Sequence, residues 1–206
     1  MSHFRAELRQ RAEELVSLYP LTRSAMLPLL HLAQEQDGYL TDEAMAEVAE
    51  LTGTTPAEVR GTASFYDMYH LEPVGKYVVG VCTNIACLLR GGQAMLEHAS
   101  ATLDCAVGSS SPDGLFTLEE TECLADCDRA PCVQVNHRYV RTTTPVAFDE
   151  LVDDLRAGRL DADVPSHGTL IRVRRSGGLR ADRIEVAEQR TRAKGARDER
   201  DLAEKK

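Results

Sequence analysis

The sequence predicts an α/β fold in which a run of short helices precedes a sheet-containing domain. Three observations carry that reading. Helix signals follow one another from about residue 5 to residue 70. The pattern then switches at Pro73-Val74-Gly75 to a short β-forming run, and strands and helices alternate from there to Arg156. A chain of 206 residues that is 43% hydrophobic can form a real core.

In the first helix Phe4, Leu8, Leu15 and Leu18 lie on a face otherwise rich in Arg and Glu, and Tyr19-Pro20 interrupts the pattern. The second is expected from Arg23 to Asp37, with Met26, Leu27, Leu29, Leu30 and Ala33 as its buried stripe, ending at Gly38. Thr41 is the N-cap expected for a third helix that stops near Gly53. Thr55-Pro56-Ala57-Glu58 combines an N-cap, a Pro in the first turn and a capping-box Glu, and predicts a fourth helix through Phe65, Met68 and Tyr69. Residues 1–73 therefore read as an N-terminal helical domain.

Lys76 to Val81 reads as a buried strand that delivers Cys82 at its end. A helix from Ala86 to Ala99 follows, locally weakened by Gly91-Gly92. The stretch from Ser109 to Gly114 reads as a loop and turn, and Leu115–Leu118 as a second strand. Cys132–Val135 and Arg138–Val140 form a hairpin around Asn136-His137, and Pro145–Arg156 is a closing helix with Val146, Phe148, Leu151, Val152 and Leu155 facing inward. This order is compatible with a thioredoxin-like layer over residues 74–160. Beyond it the apolar periodicity fades, so residues 161–206 read as a charged, flexible tail.

The net charge of −9 is unevenly spread. Residues 171–206 hold 12 Lys+Arg against 7 Asp+Glu, or +5; the remainder holds 12 against 26, or −14. An acidic body argues against nucleic acid as a partner. The N-terminus lacks the apolar run of a signal peptide, and the richest apolar stretch, Met26 to Ala33, is too short to span a bilayer. A soluble protein in a reducing compartment is expected, with its thiols available to metal.

Cysteines carry the chemistry. Four residues separate Cys82 from Cys87, three separate Cys123 from Cys127, and 35 lie between the pairs. Each pair is close enough to hold one metal atom, and neither has the two-residue spacing most typical of structural zinc. A [2Fe–2S] cluster with two cysteines to each iron is the preferred centre, and a structural zinc site is the alternative. A Rieske centre would need two His ligands, and the chain has no Cys-x-His box; a dithiol oxidoreductase would want Cys-x-x-Cys, also missing. Loops after strands suit a cluster, because backbone N–H groups such as those of Thr83 to Ala86 can offset its negative charge.

The run Cys82-Thr83-Asn84-Ile85-Ala86-Cys87, then Leu89-Arg90-Gly91, Glu122-Cys123-Leu124 and Ala130-Pro131, strongly resembles the thioredoxin-like [2Fe–2S] subunits of NADH:quinone oxidoreductase, respiratory complex I. Arg23-Ser24-Ala25, Asp37-Gly38-Tyr39-Leu40, Phe65-Tyr66 and Gly75-Lys76-Tyr77 extend the resemblance over about residues 15–157. It implies that Cys82, Cys87, Cys123 and Cys127 are the cluster ligands. It implies an electron-transfer subunit with no substrate site of its own, beside a subunit carrying FMN and oxidising NADH, and beside a further iron–sulfur subunit. It places the complex on the cytoplasmic face of the plasma membrane, with this subunit peripheral. Homologous subunits serve NAD-dependent hydrogenases and formate dehydrogenases, which are the alternative hosts; a zinc-stabilised interaction domain is the alternative of a different class.

Two positions depart from the family pattern. Asp126 stands where a small residue is usual, and Cys132 where an aliphatic one is frequent. Cys105 and Cys132 are expected to be structural, since free Cys packs as a small hydrophobe. Arg90 and Arg129 lie near the ligands and either offset cluster charge or pair with local carboxylates. Pro131 precedes a strand and is compatible with either peptide isomer.

Overall fold

A computed structural model describes residues 3–164 and 166–168. The N-terminal part is built from α1 (Ala6–Ser17), a 3-10 turn (Thr22–Ala25), α2 (Met26–Asp37), α3 (Asp42–Thr52) and α4 (Pro56–Phe65). The caps follow the sequence signals. Thr41 Oγ1 accepts from Ala44 N, and Thr55 and Glu58 form the reciprocal capping box. Gly38 closes α2 at φ +80°, a conformation that favours glycine.

The interior of this part holds Phe4, Met26, Leu29, Leu30, Leu32, Leu40, Val48 and Val59 among others. Three details differ from the sequence reading. The second helix begins with a 3-10 turn, so its buried stripe takes in Leu32 and exposes Leu27. Leu18 lies beyond the end of α1 and is exposed. The fourth helix stops at Phe65, which points to solvent, although Tyr69 still packs into the helical core.

The second part contains a five-stranded mixed sheet in the order β2-β3-β1-β4-β5, from β1 (Tyr77–Cys82), β2 (Ser109–Ser110), β3 (Phe116–Thr121), β4 (Val133–Val135) and β5 (Arg138–Val140). β1 is central and buried along its whole length. It pairs parallel with β3, from Tyr77 opposite Phe116 to Cys82 opposite Thr121, and antiparallel with β4. The parallel pairing requires a crossover, supplied by α5 (Ile85–Leu89) and α6 (Gly92–Leu103). A further helix, α7 (Pro145–Arg156), completes the layer, and Tyr77, Phe116 and Phe148 are fully buried in the core. Burying each such side chain stabilises by about 2 kcal/mol relative to exposure.

The single helix expected after Cys82 is two. Gly91 adopts φ +91° between them, and α5 leaves Ile85, Leu88 and Leu89 largely exposed. The stretch 109–114 contributes a short edge strand, and Val146 faces outward on α7. The hairpin turns at Asn136-His137, both at positive φ, as a two-residue turn between right-twisted strands requires.

The start of the segment read as a tail is packed. Val164 joins the sheet core, Asp161 Oδ1 accepts from Lys76 Nζ at 2.8 Å and Tyr77 OH at 2.5 Å, and His167 N donates to Lys76 O at 2.7 Å. The rest of the expected tail lies outside the described residues. Among the described residues no helix is long and apolar enough to cross a membrane.

Candidate metal centre

Because β1 and β3 are parallel and in register to their last residues, their following loops leave the sheet at the same end. The first loop carries Thr83 and Asn84 into α5, with Cys82 as the last strand residue and Cys87 on the helix. The second runs from Glu122 to a short 3-10 turn (Cys127–Arg129) and carries Cys123 and Cys127. The loops touch: Thr83 N donates to Thr121 O at 3.2 Å, and Cys82 Sγ donates to Glu122 O at 3.7 Å. Asn84 caps α5 by accepting from Ile85 N at 2.7 Å.

The two pairs sit in different environments. Cys82 and Cys87 are buried with Leu124, Ala130 and Cys132 in a small cluster of their own. Cys123 and Cys127 are exposed. Burial pushes the Cys87 thiol up, while the backbone N–H of Cys132, directed at its sulfur, pulls the other way. The Cys132 thiol is pushed up to about 12, first by burial and then by contact with Cys87.

The four predicted ligands thus reach one end of the sheet as two pairs, one inside and one at the surface. Among the described residues no group of three or more His, Cys, Asp or Glu side chains is gathered around one point. A two-iron cluster takes two cysteines at each iron, with all four sulfurs around one centre, and the fold brings both pairs to the same end of the sheet. The donor set fits: four thiols, and a backbone N–H aimed at the Cys87 sulfur. The packing fits as well. A Cβ on Gly92 would lie 2.7 Å from the Cys82 carbonyl oxygen and 2.9 Å from Cys87 backbone, so only glycine lets α6 start against the ligand loop. A double glycine in sequence signals a weakened helix; its packing role emerges only from the fold.

Other expectations resolve locally. The Ala130–Pro131 peptide is cis. Arg129 lies 3.9 Å from both Asp126 and Asp128, so it pairs with local carboxylates. Cys105 lies in the main sheet core and Cys132 in the sulfur cluster, so the two do not form a pair. The site also contains Tyr139, whose hydroxyl donates to Leu124 O at 2.5 Å; nothing in the sequence singled it out.

Known proteins resemble this chain over most of its described length. The model of the thioredoxin-like [2Fe–2S] ferredoxin family matches residues 12–156. An NADH-quinone oxidoreductase subunit from Mycobacterium tuberculosis H37Rv is 45% identical over 152 residues, covering 74% of this chain and 60% of that one. A corresponding NADH-quinone oxidoreductase subunit from Thermus thermophilus is 41% identical over 150 residues, covering 71% and 83%. Among solved structures, an NAD+-reducing [NiFe]-hydrogenase in its air-oxidized state matches 65% of this chain and 23% of its own at a TM-score of 0.57 and 25% identity. The chain therefore spans less than two thirds of the mycobacterial relative's length.

Proposed function

The chain belongs to the thioredoxin-like [2Fe–2S] ferredoxin family, and from that premise we propose that it is the electron-transfer subunit of an NADH:quinone oxidoreductase. The observation that carries the reading is the shared exit of the two cysteine loops beside the parallel β1–β3 pair. Cys82, Cys87, Cys123 and Cys127 hold one [2Fe–2S] cluster. When bound, that cluster supplies one-electron exchange with the FMN of a neighbouring NADH-oxidising subunit.

The chain's own residues shape the site. Cys82 and Cys87 anchor one side inside the fold, where the Cys132 N–H stabilises sulfur charge. Cys123 and Cys127 form the solvent-facing side, which is where a partner can approach. No substrate bond is made or broken on this chain. The same reading divides the chain into a helical domain, 1–73, and a thioredoxin-like domain from residue 74 whose packed part extends past 160 to Val164 and His167; two separate apolar cores support that division. The partners are the flavin-bearing subunit and an adjacent iron–sulfur subunit, with the assembly held peripherally at the cytoplasmic face of a membrane.

The test is an electron paramagnetic resonance spectrum of the full chain reduced with dithionite, with iron and sulfide assayed on the same sample. A spin-half signal with about two irons and two sulfides per chain is expected. About one zinc per chain and no signal would instead identify a structural interaction domain. The likeness to the NAD+-reducing hydrogenase favours a second host, but at lower identity. Co-purifying subunits separate the two hosts.

A further inference from the structure

The second ligand loop has little regular structure, yet its backbone is held at alternate residues. Cys82 Sγ donates to the carbonyl of Glu122, Tyr139 OH to that of Leu124 at 2.5 Å, and Cys132 Sγ to that of Asp126 at 3.0 Å. A carbonyl oxygen can only accept, so at 3.0 Å the Cys132 sulfur must be donating. Between the last two anchored carbonyls Ala125 adopts φ +57°, a conformation a residue with a Cβ enters reluctantly and keeps only where its surroundings enforce it.

The three donors are not equivalent. Cys82 is a ligand in the reading above, and a ligating thiolate has no proton to donate. Cys132 and Tyr139 remain, and both belong to the β4–β5 hairpin or its entry. Cys132 is also tied to the first pair. Its carbonyl accepts from Cys82 N at 3.0 Å, and its N–H is directed at the Cys87 sulfur. One buried residue therefore touches the backbone or sulfur of both halves of the site.

Resting on the cluster assignment above, we propose that Cys132 and Tyr139 are positioning residues of the metal centre: their S–H and O–H groups fix the 122–127 loop so that Cys123 and Cys127 stay in register with Cys82 and Cys87. Cys132 acts as a hydrogen-bond donor and not as a fifth ligand. Serine can replace it in that role and alanine cannot. Tyr139 is more than half exposed, so Tyr139→Phe removes the donor with little risk to the fold.

The experiment uses the cluster-loaded full chain, challenged anaerobically with an iron chelator while the visible absorbance is followed. Electron paramagnetic resonance spectra of the reduced proteins are recorded in parallel. Cys132→Ala and Tyr139→Phe are each expected to release iron about fivefold faster, the loss of one net hydrogen bond, and to broaden the signal. Cys132→Ser should release at nearly the parental rate. Cys105→Ala, which removes a buried thiol from the other core, should leave release and spectrum unchanged. Parental release from both Cys132→Ala and Tyr139→Phe, or equal release from Cys132→Ser and Cys132→Ala, overturns the proposal. If Cys132→Ala does not load, Tyr139→Phe decides alone. A parent chain without iron and sulfide overturns the cluster assignment and this proposal together, whereas a loaded parent with unaffected variants overturns only the proposal.

Discussion

The two ends of β1 are built on opposite plans. At its start Lys76 Nζ and Tyr77 OH both meet Asp161, the Lys76 carbonyl accepts from His167 N, and the following segment is stapled to the strand. Each of those polar groups is answered by another group of the same chain. At its finish Cys82 opens into a cluster of thiols, and the outer pair, Cys123 and Cys127, faces solvent. One end closes the fold and the other leaves strong donors uncommitted. A protein that only needed stability would close both; an end that gathers buried and exposed thiols is the place to look for function.

The sharpest way to break this comparison is to remove one cysteine from each pair. Cys87→Ala and Cys123→Ala should both abolish the reduced-state resonance signal. Only Cys87→Ala should also lower the stability of the metal-free chain, by about 1–2 kcal/mol, because it empties a buried site while Cys123 is exposed. Urea unfolding of both metal-free variants checks this. Equal destabilisation would mean that the inner and outer pairs do not differ as described.

Gly92→Ala comes next. The added methyl would meet backbone of both Cys82 and Cys87 within 3 Å, and backbone cannot rotate aside as a side chain can. A loss of about 2 kcal/mol is expected, with reduced iron content per folded chain. Gly61→Ala is the control, since its Cβ would meet nothing within 4 Å and it lies in α4. A Gly92→Ala protein as stable and as iron-rich as the parent would show that α6 does not press on the ligand loop.

The closed end has its own weakness, and it is acid. His167 is buried, and neither ring nitrogen has a partner among the described residues. The ring lies 4.7 Å from that of His70, which approaches Glu119 at 3.6 Å through Nδ1; His137 and Asp67 are the other titratable groups acting on this pair. Burial, then the two neighbouring histidines, lowers His167 to about 4. Burial lowers His70 as well and raises Glu119. A lowered histidine stays neutral in the fold while the unfolded chain takes up a proton. Stability is therefore complete above the ordinary value near 6.5 and is lost as pH falls from there towards about 4. After allowance for partial solvent screening the loss is about 2 kcal/mol. Unfolding curves between about pH 7.5 and 4.5 should show it, and His167→Leu should flatten the slope. An unchanged slope in that variant would remove His167 from the account.

What the sequence made legible, and what it did not, follows the same division. The two cysteine pairs were readable as pairs because their spacing is local and their loops follow a recognisable strand. Thr55-Pro56 and Asn136-His137 were readable because caps and tight turns are decided within four residues. Cys132 reads as a buried small residue and is one; its contacts with both cysteine loops were not readable, because they depend on β4 lying beside β1, a pairing between residues about fifty apart. Tyr139 and Gly92 were hidden for the same reason: each acts on a backbone outside its own element. Asp161 and His167 were assigned to a flexible tail because charge and fading periodicity say nothing about a strand end waiting to be capped.

The smallest expected effect returns to the open end and concerns charge alone. Asp126 precedes Cys127, the fourth of the proposed ligands, and its side chain is only about a quarter exposed. Its negative charge disfavours adding an electron nearby, so Asp126→Ala should raise the reduction potential. Arg129 stands 3.9 Å away and offsets part of that charge, which limits the shift to the order of tens of millivolts. Arg129→Gln should move the potential in the opposite direction by removing the offset. A dye-mediated redox titration of both variants decides between charge and structure. Opposite shifts mean that the loop tunes the centre electrostatically. Shifts of the same sign would mean that either change simply loosens the loop, and an unchanged or lowered potential in Asp126→Ala removes the carboxylate from the tuning altogether.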